Sequence, residues 1–386
     1  MIPAHPGLAG GPIYLDYNAT TPVDPRVTEA MLPYLTNYFG NPSSIHPYAT
    51  APHAALAQAR EQVAALIGAC PGEIVFTASG SEADLLAVRG VVLTAGRAVP
   101  HVITQSTEHP AVLETCRAVE RLHGARVTVL PVGADGVVDP ATLEAALTGE
   151  TALVSVMAAN NETGALQPIA ELAALAHERG ALFHCDAAQA AGKVPLDVDR
   201  LGVDLLTVVG HKVYAPKGVA ALFVRDGTRL EPVVYGGGQE RGLRAGTENT
   251  ALAVALGAAA QLAAAELAEG ASSRVTALRD RLHRELAAGL PSRVHLNGPA
   301  SRRLPNTLNI SIDGVLGHAL LAAVPQIAAS TGSACHSGTH TASPVLTAMG
   351  LPSSRALAAL RLSLGRWSTA TDVETAATAL INAAAA

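Results

Sequence analysis

Glu73-Ile74-Val75-Phe76-Thr77-Ala78-Ser79-Gly80-Ser81-Glu82 reads as a short apolar strand that turns through Ser-Gly directly into a helix. A glycine turn at a helix N-terminus presents free backbone N–H groups to an anion, and Ser81 adds a hydroxyl donor. Ser81-x-x-Asp84 is also a good capping pattern, so the same residues read as an ordinary helix start too. The strand-then-helix pattern repeats outward from here. Further strand candidates are His101–Gln105, Arg126–Pro131, Leu153–Ala158, Ala181–Cys185, Leu205–Val209 and Val219–Val224. Helical patterns at Pro110–Leu122 and Ile169–Arg179 lie between them, and Asp139-Pro140 opens another, with an Asp cap and a proline that preorganises the first turn. Such alternation predicts an α/β layer with a mostly parallel sheet, whose ligands gather at the carboxyl ends of the strands.

After Thr250 the pattern changes. A long Ala/Leu helix runs towards Leu290 with a break near Gly270. It is followed by a strand at Leu308–Ile312, a helix at His318–Val324, a small-residue loop and a helix after Pro344. A strand at Leu360–Leu364 and a terminal helix from about Asp372 complete the chain. The expectation is two domains: a large one over 16–258 and a smaller α+β one over 259–386, with residues 1–15 packing on the latter.

Composition narrows the classes. With 386 residues and 49% hydrophobic content, the chain can bury a large core without covalent staples. A net charge of -6 and the lack of a basic block argue against nucleic acid as a main ligand. The four cysteines, Cys70, Cys116, Cys185 and Cys335, are widely spaced and form no CxxC pair. Individual thiols in a reducing compartment, the cytoplasm, fit better than a disulfide framework. Met1 to Pro12 has no basic stretch followed by an apolar run, so no export signal is expected. Thr250–Ala268 has the length of a membrane span, but its alanines, with Gln261 and Glu266, point to a soluble helix.

Chemistry-bearing residues follow the strands in turn. Lys212, in Val209-Gly210-His211-Lys212, is an amine able to form a Schiff base with a carbonyl cofactor, or else a solvated loop lysine. Asp186, in Cys185-Asp186-Ala187-Ala188-Gln189, ends an apolar strand as a carboxylate able to hold a pyridine nitrogen protonated, or as a simple turn cap. His109, in Thr107-Glu108-His109-Pro110, could lie flat on a ring. Asn160-Asn161-Glu162-Thr163-Gly164 offers an amide or forms a turn. Cys335, in Thr331-Gly332-Ser333-Ala334-Cys335-His336-Ser337-Gly338, is a nucleophile on a small-residue loop or a buried structural thiol. The order phosphate turn, histidine, amide, carboxylate and lysine, each after its own strand, points to pyridoxal phosphate chemistry.

At this point the chain resembles the cysteine desulfurases, fold-type I pyridoxal 5′-phosphate enzymes of the class V aminotransferase group. The likeness is carried by Tyr14-Leu15-Asp16-Tyr17-Asn18-Ala19-Thr20-Thr21-Pro22, by Gly40-Asn41-Pro42-Ser43-Ser44-Ile45-His46 and by the motifs just quoted. Pro216-Lys217-Gly218, Gly236 through Asn249 and Leu304-Pro305-Asn306-Thr307-Leu308-Asn309 extend it over nearly the whole chain.

The resemblance implies that Lys212 holds the cofactor aldehyde, His109 stacks on its ring and Asp186 meets its nitrogen. Gln189 and Asn161 would contact the ring hydroxyl and the substrate side, while Gly80, Ser81 and His211 hold the phosphate. Thr247 would reach the phosphate of a second subunit, so a homodimer is implied. Arg361, in Arg361-Leu362-Ser363-Leu364-Gly365-Arg366, matches the arginine that forks onto a substrate carboxylate. Cys335 lies eleven residues before Leu346, a length similar to the long-loop subgroup, whose cysteine carries sulfur to an acceptor protein. The activity implied is conversion of L-cysteine to L-alanine with a persulfide on Cys335, in a setting such as iron–sulfur cluster assembly. Two departures, Val209 in place of a phosphate-binding serine and His336 after the cysteine, look more like the sister group of selenocysteine lyases. L-selenocysteine is therefore the alternative substrate. No metal site is expected.

Overall fold

The computed structural model describes residues 2–332 and 341–386. Cys335 and His336 fall outside the described residues. In chain order the strands are β1 (Ile13–Tyr14), β2 (Ile74–Thr77), β3 (His101–Gln105), β4 (Arg126–Leu130), β5 (Thr151–Ser155) and β6 (Leu182–Asp186). They continue as β7 (Leu205–Val209), β8 (Ala220–Val224), β9 (Val294–Leu296), β10 (Thr307–Ile312), β11 (Ile327–Ala328) and β12 (Ala359–Ser363).

Seven of them form one sheet in the order β2-β8-β7-β6-β5-β3-β4. Only β8 runs antiparallel to its neighbours in this sheet. The mostly parallel α/β sheet expected from the alternation is therefore present. Its strands are apolar on both faces because both faces are covered. Along β2, Ile74 and Phe76 enter one core while Val75 enters the other, and β7 divides Leu206 and Val208 from Leu205 in the same way. Helices Thr50–Ile67, Ile169–Glu178 and Thr250–Ala268 supply the first core, and helices Gly80–Thr94 and Pro110–His123 the second.

The chain leaves β3 towards β4 but leaves β5 towards β6, in opposite directions along the sheet. The carboxyl ends of the adjacent strands β3 and β5 therefore flank a crevice, where open α/β sheets place their ligands.

A separate core joins the antiparallel sheet β12-β10-β9 to helices Ala271–Gly289 and Ala370–Ala385. Leu15 belongs to it, and β1 pairs with β11. Residue 258, the expected boundary, lies inside the continuous helix Thr250–Ala268, whose Ala259, Ala260 and Ala263 pack in the first core. The break comes at Gly270, which adopts a left-handed backbone (φ 79). The same helix packs on Thr50–Ile67 at close range: a Cβ on Gly257 would lie 2.7 Å from Ala59 Cα. Its small residues thus serve a helix–helix contact in the core.

Candidate active site

A cavity of about 410 Å³ opens at the carboxyl ends of the central strands. Gly80, Ser81, His109, Asn161, Asp186, Gln189, His211, Lys212 and Arg361 all line it. The structure thus brings nine of the candidate residues, spread over 281 positions (361 − 80), to one site.

Lys212 closes a tight turn (Gly210–Lys212) after β7. Gly210 is required there by close approach, since a Cβ would lie 2.8 Å from the Val219 carbonyl oxygen. Lys212 Nζ donates to the carbonyls of Asn18 (2.7 Å) and Ala19 (2.8 Å). Burial, and then the Arg361 guanidinium, bring its pKa down to about 8. A substantial neutral fraction near neutral pH is what a Schiff-base lysine needs.

Asp186 ends β6, and its Oδ1 accepts the Ala188 N–H at 2.9 Å. Burial raises its pKa, while the Ala188 N–H, His109 and Lys212 pull the other way. Two further buried acids lie behind it. Asp84 is raised well above the carboxylate range by burial and by Asp186, and Glu108 is raised by the same causes to about 8. Glu108 is therefore largely neutral at pH 7, and with Asp84 also raised, Asp186 is the acid best placed to ionise when a cation faces it. His109 caps helix Pro110–His123, its Nδ1 accepting the Ala111 N–H at 3.1 Å. Burial lowers its pKa, and an Nδ1 that accepts this N–H leaves the ring proton on Nε2.

Arg361 projects from β12, 6% exposed, with Nη2 on Asp16 Oδ1 (2.8 Å) and Nη1 on the Asn161 carbonyl (3.3 Å). Among the described residues its Nε has no hydrogen-bond partner. The guanidinium therefore already holds one carboxylate and keeps a donor for another. Gln189 donates from Nε2 to the Asn18 carbonyl (2.9 Å) and accepts from Lys193 Nζ (2.8 Å).

At the opposite end of the cavity, helix Gly80–Thr94 starts with Ser79 as its cap, Ser79 Oγ accepting the Glu82 N–H at 3.1 Å. A Cβ on Gly80 would meet Val209 Cγ2 at 2.6 Å, so the absence of a side chain at Gly80 is matched to Val209. His211 contacts Thr20 Oγ1 through Nδ1 (3.1 Å), and burial with the Lys212 charge lowers its pKa to about 4. Thr247 is exposed on the loop before helix Thr250–Ala268 and does not line this cavity.

Some residues central to the site had no individual signal in the sequence. Asn18, 1% exposed, donates from Nδ2 to the Asn161 carbonyl (3.1 Å) and Thr307 Oγ1 (2.8 Å). Its Oδ1 accepts from Asn306 Nδ2 (2.9 Å), and its carbonyl receives both Lys212 and Gln189. Only the resemblance of Tyr14–Pro22 to a family motif pointed to that segment. Asp16 and Lys193 likewise become visible only through their contacts, while Asp84, which read as part of a helix cap, is instead a buried acid lining the cavity beneath a helix capped by Ser79.

A family model described as aminotransferase class-V matches residues 13–375. The chain belongs to the class-V aminotransferase family. It is 50% identical to a cysteine desulfurase of Trichormus azollae, over 94% of this chain and 90% of that protein. It is 45% identical to a cysteine desulfurase of Homo sapiens, over 94% of this chain and 79% of the relative. Among solved structures, a NifS-like protein superposes with a TM-score of 0.89 at 34% identity, covering 96% of this chain and 98% of that one. A structure titled SspA in complex with cysteine gives 0.81 at 36% identity, covering 92% and 99%.

Proposed function

We propose that this class-V family member is a pyridoxal 5′-phosphate-dependent cysteine desulfurase, which takes sulfur from L-cysteine and leaves L-alanine. One observation carries the reading: Lys212, Asp186, His109, Arg361 and the N-terminus of the Gly80 helix line a single cavity. The donor set fits the cofactor, with an amine of pKa about 8 for its aldehyde, a buried carboxylate for its nitrogen and a helix N-terminus for its phosphate. When bound, the cofactor supplies an electron sink for charge that develops at the substrate α-carbon.

The chain's own residues do the rest. The Arg361 fork receives the substrate carboxylate, with Nε, unpaired among the described residues, as the donor still available. Lys212, between the Asn18 and Ala19 carbonyls, takes and returns the α-proton at Nζ. Asp186 would hold the cofactor's ring nitrogen, where a facing cation would offset the burial that raises its pKa. Cys335, as thiolate, forms a bond to the substrate sulfur while the carbon–sulfur bond breaks. The electron pair stays with the carbon skeleton, which is protonated to alanine, and the persulfide remains on Cys335 for transfer to an acceptor protein.

A homodimer belongs to this reading. Its supports are Thr247, exposed outside its own chain's cavity, and the exposed apolar side chains Leu35, Phe39, Ile45 and Tyr48. Sedimentation of the purified protein tests it. The test of function is alanine release from L-cysteine and from L-selenocysteine, in the wild type and in Cys335→Ala. Alanine from cysteine that disappears in the variant supports the reading; turnover of selenocysteine alone replaces it with selenocysteine lyase activity.

A further inference from the structure

Glu162 takes no part in the chemistry above, yet its buried carboxylate touches both ends of the segment that carries Cys335. At one end, Ser343 Oγ donates to Glu162 Oε2 at 2.5 Å. The same Oγ accepts the Leu346 N–H at 3.2 Å, capping helix Pro344–Ala348. At the other end, Gly332 approaches so closely that a Cβ would stand 2.6 Å from Glu162 Oε2, on a backbone with φ +80. Gly332 N also donates to Ser330 Oγ (3.0 Å), and Ser330 bridges to Arg361.

Glu162 itself is firmly seated. Asn160 Oδ1 accepts the N–H groups of Glu162 and Thr163, both at 2.9 Å, and the Glu162 carbonyl accepts from Asn309 Nδ2 at 3.2 Å. The preceding carbonyl, of Asn161, accepts from Arg361. One side chain in the turn that follows β5 therefore meets Gly332 and Ser343 together, eleven positions apart.

We propose that Glu162 is a positioning residue for the sulfur-accepting thiol: it holds Gly332 and Ser343 at one point and thereby fixes the ends of the Cys335 segment against the active site. The effective concentration of a tethered thiol depends on where its tether is anchored. The inference rests on the reading of Cys335 as the sulfur acceptor.

The experiment compares holoenzyme of wild type, Glu162→Ala, Glu162→Gln and Ser343→Ala by amide hydrogen exchange and steady-state kinetics on L-cysteine. Loss of the hydroxyl's acceptor loosens the Ser343 cap, so exchange at Leu346 rises about fivefold in Glu162→Ala and in Ser343→Ala. The kcat of Glu162→Ala falls about 10- to 100-fold through misplacement, while KM stays within about twofold because Arg361 keeps its partners. Glu162→Gln keeps an acceptor and restores both readouts. Wild-type exchange at Leu346 in Glu162→Ala, or a Glu162→Gln as impaired as Glu162→Ala, would overturn the proposal. Cys335→Ala run alongside separates the two failures: full turnover without the thiol refutes the role of Cys335, whereas unchanged exchange refutes the clamp.

Discussion

Gly80→Ala isolates the contact that shapes the anion-holding end of the cavity. A Cβ there would lie 2.6 Å from Val209 Cγ2. Carbon atoms pack best at about 3.5–4.0 Å, so roughly 1 Å of displacement must be found. Val209 yields little: it is β-branched, 6% exposed and paired with Ala220 at the end of β7. Overpacking of this kind costs about 1–3 kcal/mol. Alanine in place of glycine in a helix returns up to about 1 kcal/mol, which leaves a net loss of as much as about 2 kcal/mol. In a Val209→Ala background the obstacle is gone and only the helix gain remains, so the same substitution becomes neutral or stabilising. The assay is the Tm of all four proteins in the cycle, with the Kd for pyridoxal phosphate measured beside it. Gly80→Ala should lower Tm and weaken cofactor binding in the wild-type background and do neither in Val209→Ala. Equal losses in both backgrounds would refute the packing explanation.

Arg361→Lys should raise KM for cysteine about 10- to 100-fold, because an ammonium loses the two-pronged contact, while cofactor affinity stays close to wild type. The apo protein should combine with pyridoxal phosphate at a rate that climbs through pH about 8, well below the ordinary lysine value of 10.5, and Arg361→Met should shift that inflection upward. Between those two pH values the folded state binds fewer protons at Lys212 than the unfolded state, so this group makes stability increase with pH across that window. Glu108 has the opposite sign. With its pKa raised from 4.5 to about 8, it holds a proton in the fold that the unfolded chain has lost, and stability falls as pH rises through that range. Glu108→Gln should shrink the difference in Tm between pH 6 and pH 9.

Much of the large sheet was legible because its strands are short apolar runs covered on both faces. His101–Gln105 and Leu205–Val209 match their expected limits, and others differ at their ends. Leu153–Ala158 was expected as a strand, while β5 spans Thr151–Ser155. Beyond it the N–H groups of Val156 and Ala158 still bond to the His184 and Asp186 carbonyls. The helix from Thr250 and its break near Gly270 were legible from the Ala/Leu run and the glycine, and a left-handed Gly270 separates Thr250–Ala268 from Ala271–Gly289. The candidate residues at strand ends were legible by type and place. Asn18, Asp16 and Glu162 matter through partners far away in sequence, 289 positions for Asn18 and Thr307, and local pattern carries no trace of such pairs. Val209 read as a departure from a family pattern, and the structure gives it a counterpart in Gly80.

Borohydride reduction of the protein loaded with pyridoxal phosphate, followed by mass spectrometry of its peptides, tests the central claim most directly. The chain has three lysines, Lys193, Lys212 and Lys217. Lys193 is a second amine whose pKa burial lowers, to about 7, but it faces Gln189 and does not line the cavity. Geometry therefore predicts the cofactor label on Lys212 alone. A label on Lys193 or Lys217, or a protein left unlabelled, would contradict the account.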